Sequence, residues 1–595
     1  MSEVILQKNL SALRKSYPEF FRRAEQYQHI CADPHPHPVP QERIAESVRK
    51  IQLSIQQKMD FLYLLGISDG SVLSQTAPLI VKQNRGILVI EPEMEHFFTA
   101  LRITDLTGCL RNPRIFWAVG DHLHEQIIHI LDHTLCYAAE HACFHTGDHE
   151  INPAYSQQLL RILEFIRQKT SLRRQQLIER VKKLPDRLRK QKIPGRMYRV
   201  WSFQDVRNKA RYSLIQHVLI RTLFYYLRKS GFVTEYTVLH PNQYYPPYYR
   251  IYKMALFEPD LIFLCNEGPA YEGALGEELS RSLPIPKVIW FADDPVHGEH
   301  LLQRHRVTSD ETCLVADYEW DEPLLENGAQ EILYMPGAAT RIRRGRKRSS
   351  RTCDIVFVGQ VRDQSAFFHQ LSPAWRQYAE RIVSEKLRFP RLKIRDVMAN
   401  FPPPTQLAQD YLDEFRQRIL WEANTRFRVQ AILRLTKHNL LIYGNSDWLT
   451  FLPPELAQRC FRGVLRFKHL FEVYRNSRIV LNIHSLQSYT CLNVRDFDVP
   501  AAGGFLLSDW LPRAEEVFVP GFIQNLPLTE HSREEIFFYR SLTEMQQLVE
   551  YFLTHPDARL DCIERARHKV LHSHTYQHRA EWLAELFRER IENFH

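Results

Sequence analysis

Residues 495–509 read R-D-F-D-V-P-A-A-G-G-F-L-L-S-D. A charged head (Arg495, Asp496, Asp498) runs into small residues, Pro500 to Gly504, and then into an apolar strand closed by Ser508 and Asp509. Small residues let a backbone come close to a ligand. Free N–H groups at a helix start attract a diphosphate, and a carboxylate one turn away can take a ribose diol. The stretch by itself therefore predicts a phosphate-binding α/β protein, with the phosphate near Gly503 and Gly504.

The flanks extend the pattern. Upstream is F-K-H-L-F-E-V-Y-R-N-S-R-I-V-L-N-I-H, residues 467–484, and downstream His574-Thr575-Tyr576 with Arg579. The string resembles the C-terminal domain of the glycosyltransferases related to the spore maturation protein CgeB, over roughly residues 200–590 and most specifically over 474–509. That resemblance implies a GT-B fold, two facing Rossmann-like domains, and a nucleotide-diphosphate sugar as donor substrate, with no separate cofactor. Asp498 falls on the acidic position before the small-residue run. The acid that many relatives carry eight positions earlier is Thr490 here, so the stereochemical outcome stays open. The donor-binding residues expected are Gly359, Arg362, Lys468, Asn493, Arg495, Asp498, Gly503 and Gly504, with no essential metal.

At 595 residues the chain exceeds one core and predicts three or four domains. Its 44% hydrophobic and 25% charged content is that of an ordinary globular protein. No continuous apolar run is long enough to span a bilayer, and the first residues lack a signal-peptide core. Ten cysteines without a C-x-x-C pair fit reduced thiols, hence a cytoplasmic protein. Net charge is +9, concentrated at 341–351 (R-I-R-R-G-R-K-R-S-S-R) and 163–196. Such patches attract a phosphorylated ligand or an anionic lipid surface, or are solvated linkers. Without interleaved aromatics or a recognisable motif, nucleic acid is not expected.

Residues 1–57 read as helical, interrupted by the proline-rich 31–40. A Rossmann-like region, 58–150, follows. Its strands are 61–65, 87–90 and 115–119; the first ends in G-I-S-D-G (Gly66, Ser68, Gly70) and the second in Glu91, which in a nucleotide-binding β-α-β unit would face a ribose. This segment resembles the N-terminal part of the motility-associated factors implicated in flagellin glycosylation, which implies a protein acceptor. G-x-S-x-G is also the nucleophile-elbow pattern, so a hydrolase centred on Ser68 is one alternative. His141, His145 and His149, spaced by four, would share one face of a continuous helix and could bind metal; Gly147-Asp148 argues instead for a helix end.

A basic helical connector, 151–195, ends at Pro194-Gly195. The acceptor-side domain is then 196–340, with parallel strands near 198–201, 233–239, 261–264, 288–291 and 312–315. Ligands of such sheets sit past the strand C-terminal ends. There the W-F-A-D-D-P-V-H string, similar to the matching stretch of CgeB-like proteins, offers Asp293, Asp294 and His297 as general base or acceptor-orienting group. The same residues also serve as turn formers and caps. A basic hinge (341–352), a donor domain (353–575) and a terminal crossing helix (576–595) complete the chain.

The expected activity is transfer of a sugar from a nucleotide-diphosphate donor to a protein or glycan acceptor. The alternative in another class is a transferase-like scaffold that has lost its chemistry.

Overall fold

The computed structural model describes residues 2–30, 39–81, 85–139, 141–146, 153–186, 196–205, 214–240, 243–266, 283, 285–295, 306–340, 353–405, 409–529 and 531–594. The proposed basic hinge, His149 and His297 lie outside the described residues.

Sixteen described strands form three sheets, and every strand pairing within them is parallel. The first sheet holds β1 (Phe61–Leu65), β2 (Gly86–Glu91), β3 (Ile115–Val119) and β4 (Ala142–Thr146), in the order β3-β2-β1-β4. All five residues of F-L-Y-L-L in β1 are buried, as a strand covered on both faces requires. β4 overturns a sequence expectation. Residues 142–146 are no helix but an extended strand in register with β1, Phe61 opposite Ala142 and Leu65 opposite Thr146. Four extended residues separate His141 from His145 by about 13 Å, so the two cannot share a metal.

The middle sheet comprises β5 (Arg199–Asp205), β6 (Val233–Leu239), β7 (Leu261–Cys265), β8 (Lys287–Phe291), β9 (Glu311–Val315) and β10 (Ile332–Tyr334), in the order β10-β9-β8-β7-β5-β6. The C-terminal sheet comprises β11 (Cys353–Val358), β12 (Leu440–Tyr443), β13 (Ser477–Asn482), β14 (Leu506–Asp509), β15 (Pro520–Gly521) and β16 (Ile536–Tyr539), in the order β12-β11-β13-β14-β16-β15. In both six-stranded sheets the first strand lies between the second and the third. The strand order therefore reverses at β5/β7 and at β11/β13, the points where open α/β sheets bind ligands beyond their C-terminal ends.

The N-terminal and middle sheets share a core: Phe61, Tyr63, Trp201, Phe203 and Tyr244 belong to one buried cluster, with the Phe61 and Tyr244 rings 4.9 Å apart. The opposite face of the first sheet is covered by Leu6, Leu10 and Leu13 of helix Ser2–Ser16 together with Phe97 and Leu101. The helix Tyr576–Asn593 returns from the C-terminal domain to the middle one. Its Phe587 lies 5.5 Å from Phe263 and 6.3 Å from Phe232, and its Tyr576 ring lies 6.3 Å from Trp290. The α/β class is thus the one the sequence predicts, three parallel sheets of Rossmann-like form. Among the described helices none is long and apolar enough to cross a membrane, and none of the nine described cysteines is in a disulfide.

Candidate functional site

The site is assembled at the β11/β13 switch point. Helix Val494–Ala502 begins there: Asn493 is its N-cap, accepting from the Arg495 N–H at 2.8 Å, and Asp496 accepts from the Asn493 N–H at 2.8 Å. This reciprocal capping box fixes where the chain turns into the helix. It also reverses the reading of the glycines. Gly503 is the C-cap, at φ +80°, with its N–H on Pro500 O at 2.8 Å, and the Gly504 N–H is on Val499 O at 2.9 Å. Both therefore sit at the carbonyl end of the helix, where the dipole is negative, and neither amide is free for a phosphate. Gly504 is small for another reason: a Cβ would stand 2.7 Å from the Tyr474 carbonyl oxygen.

Asp498 is also placed differently from the expectation. Its carboxylate is 3% exposed and accepts from the Thr340 N–H at 2.8 Å and the Thr340 hydroxyl at 3.1 Å. Burial pushes it up to about 7, against those hydrogen bonds and the nearby Arg495. It joins the helix to the end of the middle domain; a carboxylate so enclosed is poorly placed for a ribose.

What occupies the switch point is a buried charge network. His484, fully buried, lies between Asp496 Oδ2 on Nε2 and Asp509 Oδ1 on Nδ1, both at 2.7 Å. Burial works against the imidazolium, but the two carboxylates outweigh it and raise His484 to about 9. The same environment holds Asp509 well below the usual carboxylate range. The Arg391 guanidinium pairs with the other Asp509 oxygen and donates to Ser488 O at 3.0 Å. Asn482 donates to Asp496 at 2.9 Å and to Ser508 Oγ at 3.1 Å, and its carbonyl takes a 2.7 Å bond from Arg495 Nη1.

Arg428 spans the switch point itself. Nη1 donates to Gln360 O, just past β11, at 2.6 Å, and Nη2 to Ile483 O, just past β13, at 3.4 Å. It is 7% exposed, and its Nε has no hydrogen-bond partner among the described residues. Burial lowers it to about 10, helped by the Arg495 charge. The sequence reading missed Arg391, Arg428 and the roles of His484 and Asp509, because nothing in a helical or apolar run marks which arginine or histidine will be enclosed.

The remaining donor-side candidates are distributed around this network. Gly359 accepts from Trp448 Nε1 at 2.9 Å, and a Cβ on it would stand 2.6 Å from the Phe357 ring, so packing alone accounts for a glycine there. Arg362 stacks over Trp421 at 3.8 Å, with its N–H on Thr425 Oγ1 at 3.0 Å. Lys468 is exposed in the first turn of helix Phe467–Asn476, which starts on the ligand side of the sheet.

The middle domain faces this edge with its own strand ends. Asn266, in the left-handed region after β7 (φ +51°), accepts from the Ala292 and Asp293 N–H groups at 2.8 and 3.1 Å and donates to Asp293 Oδ2 at 2.7 Å. Asp293 is exposed and Asp294 is 4% exposed. Asp317, two residues past β9, crosses to the C-terminal domain. It accepts from the N–H groups of Tyr489, Thr490 and Cys491 at 2.7, 2.9 and 3.2 Å and from the Thr490 hydroxyl at 2.5 Å. A carboxylate therefore does stand beside Thr490, but it comes from the other domain.

The N-terminal turn is filled by its own side chain. Glu91, fully buried, accepts from the Ile67 and Glu93 N–H groups at 2.9 Å each and from Tyr155 OH at 2.8 Å on both oxygens. Its acceptor positions are occupied, so it does not face a ribose as the sequence predicts. Gly66, Ser68 and Gly70 all adopt positive φ (80°, 53° and 82°), and among the described residues no hydrogen bond joins Ser68 to a histidine. Among the described residues no group of three or more His, Cys, Asp or Glu side chains is disposed to hold a metal ion.

Residues 416–585 match the model of a family described as glycosyl transferase-like. The C-terminal part of the chain therefore carries a glycosyltransferase-like domain, and the matched residues contain the network above apart from Arg391. Among solved structures the chain is similar to the crystal structure of TarM, at 9% identity and a TM-score of 0.30 over 55% of this chain and 54% of that one, so the chain aligns with about half the length of TarM. No curated protein matches.

Proposed function

We propose that the chain transfers a sugar from a nucleotide-diphosphate donor, with the diphosphate held at the β11/β13 switch point. The carrying observation is charge. Arg391, Arg428, Arg495 and His484, the last raised to about 9, are four cations against the carboxylates of Asp496 and Asp509. The excess faces the N-terminal end of helix Val494–Ala502, where dipole and cations attract an anion together. Cations fixed in advance stabilise the charge that develops on a departing diphosphate; one such donor is worth ~3 kcal/mol of barrier. The family match over 416–585 supports the same reading.

On this reading Asp293, exposed beyond β8 and oriented by Asn266, takes the acceptor proton. Neutralisation by side chains predicts that turnover survives a chelator such as EDTA. The acceptor, a protein or a glycan, is suggested by the resemblance of the N-terminal segment alone.

The experiment is thermal stabilisation by UDP, GDP, dTDP and CMP, comparing wild type with Arg495→Ala. A ligand at 100 times its Kd adds about 2.7 kcal/mol. Stabilisation of wild type by one diphosphate, lost in the variant, establishes the site and the base. A folded protein that no nucleotide stabilises sinks the transferase reading and leaves the scaffold one.

A further inference from the structure

The N-terminal unit contains a cavity of about 830 Å³ between the edge of the first sheet and helix Pro153–Lys182. That volume lies within the ~300–1,000 Å³ of small-molecule sites. Its floor is aromatic: Phe144 of β4 stacks on Tyr63 of β1, ring centroids 4.7 Å apart at an interplanar angle of 11°. Its wall is one face of the helix, carrying Arg167, Arg174 and Lys182.

Three cations around the cavity are matched: Arg173 with Asp132 at 2.9 Å, Arg180 with Glu258 at 2.9 Å and, just past the helix end, Lys183 with Glu179 at 2.5 Å. Arg161 and Lys169, which do not line the cavity, have no ion pair among the described residues. The three that line the cavity have no carboxylate partner among the described residues; Arg167 lies over the Phe144 ring at 5.3 Å. Glu179 also borders the cavity, but Lys183 already balances it. Seven helical residues separate Arg167 from Arg174, about 10 Å along the axis. One ring and a phosphate group fit that span.

We infer that this cavity binds a small organic phosphate carrying a ring, a nucleoside phosphate or a sugar phosphate, at a site separate from the β11/β13 network. The ring lies against Phe144, beside the Arg167 guanidinium. The phosphate lies toward Arg174. A ring stacked on an aromatic face and a phosphate on a guanidinium fork are the contacts such ligands ordinarily receive.

The test is calorimetric titration of the full chain at low salt with UDP, glucose 1-phosphate and inorganic phosphate as probes. Wild type is compared with Arg495→Ala, which addresses the switch-point site, and with Arg174→Glu. Arg174 is half-buried and without an ion pair, and Lys182→Glu, at an exposed position, repeats the test if it fails to fold. The expected result is that one ring-bearing probe binds Arg495→Ala at least tenfold more tightly than inorganic phosphate, and that Arg174→Glu weakens this binding at least tenfold. UDP in that role identifies a nucleotide, glucose 1-phosphate a sugar phosphate. Binding that disappears in Arg495→Ala and is untouched by Arg174→Glu assigns everything to the switch point and overturns the inference. So does equal, weak binding of all three probes.

Discussion

The Asp317 carboxylate and the Thr490 hydroxyl meet at 2.5 Å across the boundary between the middle and C-terminal domains. The same carboxylate takes three consecutive backbone N–H groups, so one side chain of one domain satisfies an anion-binding nest in the other. Lys393 with Glu319 at 2.8 Å, and Arg513 over the Tyr318 ring at 3.5 Å, surround it.

Replacing Asp317 with alanine leaves five donors without their acceptor, the four above and the Glu319 N–H at 3.1 Å. Each unsatisfied buried group costs ~1–3 kcal/mol, and water entering the boundary offsets part of that. The expected loss is ~2–4 kcal/mol in denaturant unfolding, with a larger radius of gyration in small-angle scattering as the domains part. An unchanged radius would show that the contact does not hold the domains together.

Arg428→Ala removes the cation that spans the two strand ends, and Arg428→Lys keeps the charge but not the fork. Diphosphate affinity is expected to fall ~10- to 100-fold in the alanine variant and less in the lysine one, as befits a charge-assisted contact of ~1.5–3 kcal/mol. Titrating the nucleotide that stabilises wild type into each folded variant measures this. Equal affinity across the series removes Arg428 from the donor site.

Asp498 makes stability depend on pH in a calculable direction. Its carboxyl is raised to about 7 in the folded protein, against ~3.9 when unfolded. Its contribution is therefore full below pH ~4 and is lost as pH rises through 7. Asp498→Asn retains an oxygen for Thr340 and does not ionise. The variant is expected to match wild type at pH 4 and to exceed it by ~2–4 kcal/mol at pH 8. His484, protonated in both proteins until pH nears 9, cancels in the comparison. Parallel urea curves with a constant offset from pH 4 to 8 would mean that the carboxyl is not raised.

Gly444 packs directly on the Gly359 carbonyl, and a Cβ there would also stand 2.6 Å from Trp448 Nε1. Gly444→Ala must break the Trp448–Gly359 bond or move the loop after β11, at ~1–3 kcal/mol. A lower melting temperature with weaker nucleotide binding is the expected pair of results. A stability loss with binding intact would separate this loop from the donor site.

The strands were legible because parallel sheets buried on both faces leave short apolar runs ending in glycine or acid, as F-L-Y-L-L-G and D-I-V-F-V-G do. The phosphate turn was misread at Gly503 and Gly504 because small residues close a helix as readily as they cradle an anion. The deciding signal, the spacing of Asn493 and Asp496, is a capping pattern and was present in the sequence. Asp317 also carried a signal, an acid just past a predicted strand end, like Asp293. Arg428 carried none, since its burial comes from contacts with residues 68 and 55 positions away. Strand β4 was hidden by histidines whose spacing fits a helix equally well.

The returning helix Tyr576–Asn593 has a consequence for synthesis. One face of the middle sheet, with Phe232, Phe263 and Trp290, is closed in part by helix Leu214–Lys229, whose Phe224 ring lies 6.4 Å from Phe263, and in part by residues near Tyr576 and Phe587. At ~5–20 residues per second, the ribosome needs roughly 10–50 s to travel from the end of that sheet to the helix that covers it. Throughout that interval the nascent middle domain exposes an aromatic surface to its surroundings. A chaperone that shields such surfaces would find its longest-lived client state in this chain there, and a truncation just before Tyr576 would make that state permanent.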